Sequence, residues 1–135
     1  MTREERADAL HREGYNCAQA VACVFADETG LDASTLYKVS EGFGAGMGTA
    51  RGVCGAVSGA AIVAGLINSD GDTENPGQTK LRTTKAAGAI QRKFAEEAGA
   101  LVCREIKTGN NGGPFTSCTD CIKIAVRLTE DVLGL

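Results

Sequence analysis

Histidine, tryptophan and the other aromatic residues are scarce in this chain of 135 residues. It has one histidine, no tryptophan and 4% aromatic residues. The histidine, His11, lies in a polar stretch and is predicted to be a surface residue, so a Cys–His nucleophile pair has little support. Ile122, and not histidine, follows the one Cys-x-x-Cys motif, which excludes a c-type haem site. Zinc fingers and zinc ribbons need two close pairs of cysteine or histidine. The chain has one such pair, so neither kind of zinc site is predicted.

An excess of positive charge and a long apolar run are also missing. The 14 basic and 17 acidic residues leave a net charge of -3, which provides no basic stripe for a phosphate backbone, so nucleic acid is not expected as a partner. The longest apolar stretch, residues 53–67, is interrupted by glycine and serine and falls short of the ~20 residues that a membrane span needs. The charged first residues do not resemble a secretory signal, so we expect a cytoplasmic protein with reduced cysteines.

The sequence also lacks regular alternation of apolar and polar residues, which is the pattern of a half-buried β-strand. Helix start and stop signals are frequent instead. The length and the 43% hydrophobic content are sufficient for one core. We therefore predict an all-α protein in which residues 1–135 form one domain, a single compact bundle of about five to six helices.

Capping residues indicate where the helices begin. Thr2, Asn16, Asp32 and Ser117 are predicted N-caps, and the first two have Glu or Gln three residues later, as a capping box requires. The cap at Asn16 places Cys17 in the first turn of its helix.

Composition predicts two further helices. A buried helix over residues 54–67 is rich in glycine and alanine. Because glycine costs about 1 kcal/mol relative to alanine inside a helix, we attribute this excess to close approach of neighbouring backbones. A long helix is expected to start at Asn75-Pro76 and to stop at Gly99, and residues 107–116 are expected to form an exposed loop.

In contrast to these scarce residue types, cysteine is well represented, and the chain contains six. Four of them lie at predicted helix starts or in a turn just after a helix: Cys17, Cys54, Cys103 and Cys118. The positive end of a helix dipole favours thiolate over thiol, so separate segments could deliver several reactive sulfurs to one place. A framework of structural disulfides is disfavoured, because the chain has enough apolar residues to fold without it and is expected in a reducing compartment.

The remaining cysteines and the glycines admit other interpretations. Cys118 and Cys121 form the only Cys-x-x-Cys pair, a spacing that suits a dithiol redox couple or half of a metal site. Cys23 lies in an apolar segment on a different helical face from the preceding cysteine, and we assign it to the core. The glycine-rich stretch 42–48 matches neither a dinucleotide fingerprint nor a Walker A loop, so it is predicted to form a flexible, backbone-rich wall beside Cys54.

Specific motifs follow one another along nearly the whole chain: Gly14-Tyr15-Asn16-Cys17-Ala18-Gln19-Ala20-Val21, Gly42-Phe43-Gly44, Met47-Gly48, Cys54-Gly55-Ala56-Val57-Ser58-Gly59, Cys103-Arg104-Glu105 and Cys118. This order resembles the redox-active protein family that is named for its C…GCAxxG…C…C pattern. Cys54-Gly55-Ala56 transposes the first two letters of the GCA core, and Cys23 and Cys121 lie outside the pattern.

The resemblance implies redox or electron-transfer activity with sulfur as the agent. It also implies that the four pattern cysteines are the site: Cys17, Cys54, Cys103 and Cys118. The family is similar to the amino-terminal region of split-Soret cytochromes, in which the corresponding cysteines are thought to hold an iron–sulfur cluster. This chain lacks the haem part.

Three functions therefore stand side by side. The first is an electron-transfer protein whose four cysteines bind an iron–sulfur cluster, most simply a two-iron, two-sulfide unit. The second is a metal-free dithiol oxidoreductase, and the third is a zinc-type module with four cysteine ligands. No catalytic residue is predicted. The expected partner is an electron donor or acceptor protein or a small redox molecule, and the small-residue helix could also pack against a second copy of the chain as a homo-oligomer.

Overall fold

The computed structural model describes residues 1–110 and 112–135, and the regular structure in these residues is helical. Eight α-helices are formed within these two ranges: α1 (Arg3–Arg12), α2 (Cys17–Cys23), α3 (Ala26–Thr29), α4 (Ala33–Glu41), α5 (Gly55–Asn68), α6 (Lys80–Ala98), α7 (Cys103–Thr108) and α8 (Cys118–Leu133). Pairing of extended backbone is limited to isolated bridges within the described ranges. The all-α prediction is confirmed, and the predicted count of five to six is low because the short helices α3 and α7 were not foreseen.

The predicted N-caps are confirmed. Thr2, Asn16, Asp32 and Ser117 each precede a helix, and each side chain accepts a hydrogen bond from the backbone N–H three residues later. Asn16 and Gln19 form a complete capping box, in which the Gln19 side chain also accepts from the Asn16 N–H. These bonds satisfy N–H groups that the first turn of a helix leaves unpaired.

The start of the long helix was predicted wrongly. Helix α6 begins at Lys80 and not at Asn75-Pro76. The Asp72 carboxylate accepts hydrogen bonds from the backbone N–H groups of Glu74 and Asn75, which stabilises a turn in place of a helix. Gly77 has a φ of +92°, which interrupts any helix begun before it.

The other boundaries near this part of the chain agree better with prediction. Gly99 ends α6 with a φ of +93°, as expected of a left-handed helix stop. The predicted exposed loop 107–116 is shorter, because Lys107 and Thr108 belong to α7, and its residue Asn111 lies outside the described part of the chain.

Helix α5 packs against α2, α6 and α8 around an apolar core. The largest fully buried side chains are Phe25, Phe94, Leu36, Ile90 and Ile122. None of the helices within residues 1–110 and 112–135 combines the length and the apolar character needed to cross a membrane.

The contact between α2 and α5 depends on the absence of a side chain at Gly59. A Cβ there would lie 2.6 Å from the carbonyl oxygen of Ala18 and 3.2 Å from the Cβ of Val21. Gly65 lies further along the same helix, and a Cβ added there would have no atom within 4 Å. The close backbone approach predicted for this helix therefore occurs at specific glycines and not along its whole length.

Arg3 ties the amino-terminal helix to the rest of the bundle. Its guanidinium forms ion pairs with Glu28, next to the end of α3, and with Glu130 in α8. It also lies 4.8 Å from the centre of the Phe25 ring, within the range of a cation–π contact. Helix α8 is thereby fixed from one end, and its other end carries two cysteines.

Candidate cysteine site

Five of the six cysteines line one small cavity, and all of them come from helix starts. Cys17 is the first residue of α2, Cys54 is the N-cap of α5, Cys103 is the first residue of α7, and Cys118 and Cys121 lie in the first turn of α8. All six cysteines are free thiols. The structure thus brings together the four cysteines singled out from the sequence, and their role as ligands stays a prediction.

The cavity is small and mostly enclosed. Its volume is about 30 Å³. Cys54 and Cys103 are each 6% exposed and Cys121 is 2% exposed, whereas Cys17 is half-buried and Cys118 is exposed. The remaining lining residues are Ala45, Gly55, Ile106, Lys107 and Thr116.

Backbone hydrogen bonds hold Cys54 and Cys103 beside each other. The Cys54 N–H donates to the Leu101 carbonyl at 2.8 Å, and the Cys103 N–H donates to the Gly52 carbonyl at 3.0 Å. These bonds flank an isolated antiparallel bridge between the two segments. Because main-chain atoms make both bonds, the pairing of these cysteines does not depend on the neighbouring side chains.

A second backbone contact brings the start of α8 to the same place. The Phe115 N–H donates to the Ile106 carbonyl of α7 at 2.9 Å, so the chain returns to α7 just before α8 begins. Thr116, the next residue, lines the cavity.

The glycine-rich segment forms one wall of the cavity in an uncommon conformation. Four consecutive residues, Ala45, Gly46, Met47 and Gly48, have φ values of +54°, +60°, +58° and +85°. A left-handed conformation costs a residue with a Cβ roughly 1–2 kcal/mol, so packing must hold this turn in place. A Cβ on Gly46 would lie 2.7 Å from the Cβ of Cys103. Of this segment Ala45 lines the cavity, and Gly46 lies against Cys103 and not against Cys54, beside which the wall was predicted.

Four of the cavity thiols interact electrostatically in two pairs. Cys121 acts on the pKa of Cys54, and Cys118 acts on the pKa of Cys17. Each pair contains one cysteine of α8 and one cysteine from the start of another helix. Helix α8 therefore supplies a partner to both.

The electrostatic environment distinguishes Cys54 from its neighbours. The hydrogen bond with Cys121 lowers the pKa of Cys54 to about 7, and the backbone N–H groups of Ala56 and Val57 and the Lys107 ammonium act in the same direction against the effect of burial. These N–H groups belong to the first turn of α5, where the helix dipole is positive. Cys54 is thus the thiol prepared to ionise near neutral pH.

The pKa values of the other shifted cavity cysteines move upward. Burial, followed by the nearby Cys118 and Cys54, raises the pKa of Cys17 to about 12. The hydrogen bond with Cys54, followed by burial, raises the pKa of Cys121. Burial raises the pKa of Cys103, although the Lys107 ammonium opposes the shift. In the metal-free protein these three side chains are therefore thiols at neutral pH.

Two residue assignments differ from the sequence-based ones. Cys121, which lies outside the family pattern, is among the most buried cysteines of the cavity. Its Cys-x-x-Cys spacing from Cys118 was the available signal, since residues three apart on a helix share a face. Lys107 was assigned to an exposed loop and no sequence signal marked it.

Cys23 lies apart from the cavity. It is half-buried and packs against the core, as predicted, and its other side lines a surface groove beside α1.

The polar side chains among the described lining residues are five thiols, the Thr116 hydroxyl and the Lys107 ammonium, with no histidine or carboxylate. Thiolates are the ligands that iron–sulfur clusters and zinc take in proteins, so the residues fit such a group by chemistry. No group of three or more His, Cys, Asp or Glu side chains in residues 1–110 and 112–135 is arranged as a site for a metal ion.

The structure is thus an all-α bundle in which five free thiols from helix starts line one cavity. The chain belongs to the family described as "Putative redox-active protein (C_GCAxxG_C_C)", whose model matches residues 15–132. That range contains all five cysteines of the cavity. No curated protein and no solved structure matches the chain.

Proposed function

We propose that the protein transfers electrons by means of an iron–sulfur cluster held by four cysteines: Cys17, Cys54, Cys103 and Cys118. The observation that supports this proposal is the convergence of thiols from four separate helix starts on one largely enclosed cavity. A two-iron, two-sulfide unit with four thiolate ligands is the simplest group of this kind. When bound, such a cluster accepts and releases one electron at a time.

The chain's own residues would stabilise the negative charge of a thiolate-ligated group. The backbone N–H groups of Ala56 and Val57 favour the thiolate form of Cys54, and the Lys107 ammonium lies near Cys54 and Cys103. Hydrogen bonds and positive charge near ligand sulfurs favour the more reduced, more negative state, so both features would raise the reduction potential. Burial of Cys54 and Cys103 would keep water from these two sulfurs.

Electron exchange would take place on the side of Cys118, because this is the exposed sulfur of the cavity. We propose an electron donor or acceptor protein, or a small redox molecule, as the partner on this side.

The test is anaerobic purification followed by reconstitution with ferrous iron and sulfide under reducing conditions. We expect a brown protein that contains iron and acid-labile sulfide, with a visible absorption band that bleaches on reduction. Changing any one of the four proposed ligands to serine should remove most of the iron. Cys23→Ser is the matched control, because Cys23 lies apart from the cavity, and this variant should keep its iron.

Two results would contradict the proposal. A colourless protein without iron after reconstitution would show that the cavity does not hold a cluster. Zinc retained by protein produced anaerobically in iron-rich medium would favour a four-cysteine zinc module in its place.

A further inference from the structure

Cys121 has no role in the four-ligand site, although it lies inside the cavity. It is 2% exposed and lines the same small cavity as Cys54. A cysteine that only filled space in the core would have no need of other thiols around it. The structure instead places this fifth sulfur against one of the four proposed ligands.

The backbone on both sides of this pair is fixed. Cys54 is held at the start of α5 by its N–H bond to Leu101, and the Cys121 N–H donates to the Ser117 carbonyl within α8 at 2.9 Å. Helices α5 and α8 pack directly against each other. Both thiols are free, so an S–S bond of about 2.05 Å requires the two sulfurs to approach each other across the cavity by side-chain and helix movements.

We propose that Cys54 and Cys121 form a reversible disulfide when the cavity holds no cluster, with hydrogen peroxide as the oxidant. The bond takes Cys54 out of the ligand set, so cluster loading requires prior reduction of the pair. This control of loading rests on the proposed cluster function, whereas formation of the disulfide does not.

The reaction balances in two steps. One thiol sulfur takes an oxygen atom from hydrogen peroxide, giving a sulfenic acid and a molecule of water. The second thiol sulfur then displaces that oxygen as a second water, and the S–S bond forms. The peroxide gains two electrons, both of which come from the two sulfurs, and a thiol reductant reverses the change by thiol–disulfide exchange.

The size of the cavity favours a small oxidant. A cavity of about 30 Å³ can admit a molecule close to water in size, and hydrogen peroxide is such a molecule. A bulky disulfide such as oxidised glutathione would have to reach sulfurs that are 6% and 2% exposed. We therefore expect peroxide to oxidise the pair faster than oxidised glutathione does at the same concentration.

The test uses full-length, metal-free, reduced protein treated with hydrogen peroxide, followed by alkylation of the remaining thiols and tryptic mapping without reduction. Trypsin should leave Cys54 on the peptide 52–80, and Cys118 and Cys121 together on the peptide 108–123. We expect these two peptides to be cross-linked, and dithiothreitol should separate them.

Two serine variants assign the bond to one sulfur of the second peptide. The cross-link should persist in Cys118→Ser and be lost in Cys121→Ser, in which the unprotected Cys54 should progress to sulfinic acid. Cys54→Ser should also abolish it, which covers the case that Cys121→Ser does not fold. A cross-link lost in Cys118→Ser, or Cys54 and Cys121 both still alkylated after peroxide treatment, would overturn the inference.

Iron loading provides the readout that depends on the cluster. Peroxide-treated wild type should take up far less iron on reconstitution without a thiol reductant, and dithiothreitol should restore uptake. Equal loading of the cross-linked and reduced proteins would refute the control of loading. The peptide cross-link needs no iron, so the result of mapping is independent of whether a cluster is ever bound.

Discussion

Two glycines of α5 provide a matched test of the packing that positions the site. Gly59→Ala adds a methyl group 2.6 Å from the Ala18 carbonyl oxygen, where the neighbour is backbone that cannot rotate away. Gly65→Ala adds the same group where no atom lies within 4 Å. Both substitutions give the helix the same propensity gain, about 1 kcal/mol, so the difference between the variants isolates the steric effect.

The magnitude follows from the contact. Inserting a methyl group into a well-packed site costs about 1–3 kcal/mol, and a clash with backbone belongs in the upper part of that range. We expect Gly65→Ala to stabilise the protein by about 0.5–1 kcal/mol. Gly59→Ala should destabilise it by about 1–2 kcal/mol after the propensity gain is subtracted. The two variants should then differ by roughly 10 °C in Tm, at roughly 4 °C for each kcal/mol in a domain of this size.

Urea denaturation of the reduced, metal-free proteins, monitored by far-ultraviolet circular dichroism, measures the difference. A single domain of this size is expected to unfold in one cooperative transition, so each variant yields one free energy of unfolding. Because α2 begins with Cys17 and α5 follows Cys54, separation of the two helices should also change how fast these thiols are alkylated. Equal free energies of unfolding for the two variants would refute the close contact between α2 and α5.

Three further predictions concern single residues. Asn16→Ala should cost about 1–2 kcal/mol, more than Asp32→Ala, because the Asn16 amide also donates to a carbonyl at the end of α4, which urea titration of both variants would measure. In reduced, metal-free protein the alkylation rate of Cys54 should rise with a midpoint near pH 7, and Cys121→Ala should move that midpoint upward because its thiol donates to the Cys54 thiolate; an unchanged midpoint would contradict the pairing. Arg3→Met should lower the free energy of unfolding by about 1 kcal/mol at low salt and by less at high salt, since it removes two ion pairs.

Features that depend on a few neighbouring residues were predictable from the sequence. The caps at Thr2, Asn16, Asp32 and Ser117 were of this kind, because each uses a bond that spans three residues. The start of α7 was missed because its N-cap, Val102, has no side chain that could accept such a bond. Helix α5 has no side-chain cap either, but its glycine- and alanine-rich composition indicated it, whereas the short helix α7 offered neither signal.

The content of the cavity depended on contacts between distant segments. The four pattern cysteines were found from their positions at helix starts and from the resemblance to a family. Cys121 joins them because α8 packs against α5, and Lys107 joins them because α7 extends into the predicted loop. Nothing within a few residues of either position indicates what lies opposite it, so their place in the site required the fold.

The carboxyl-terminal helix has a mechanical consequence for the whole site. Since α8 contributes one sulfur to each thiol pair, a rigid displacement of that one helix separates Cys118 from Cys17 and Cys121 from Cys54 simultaneously. Cys54 and Cys103, fastened to each other through the main chain, stay behind. Both thiol contacts therefore depend on the position of this single helix, which Arg3 of α1 restrains through its ion pair with Glu130.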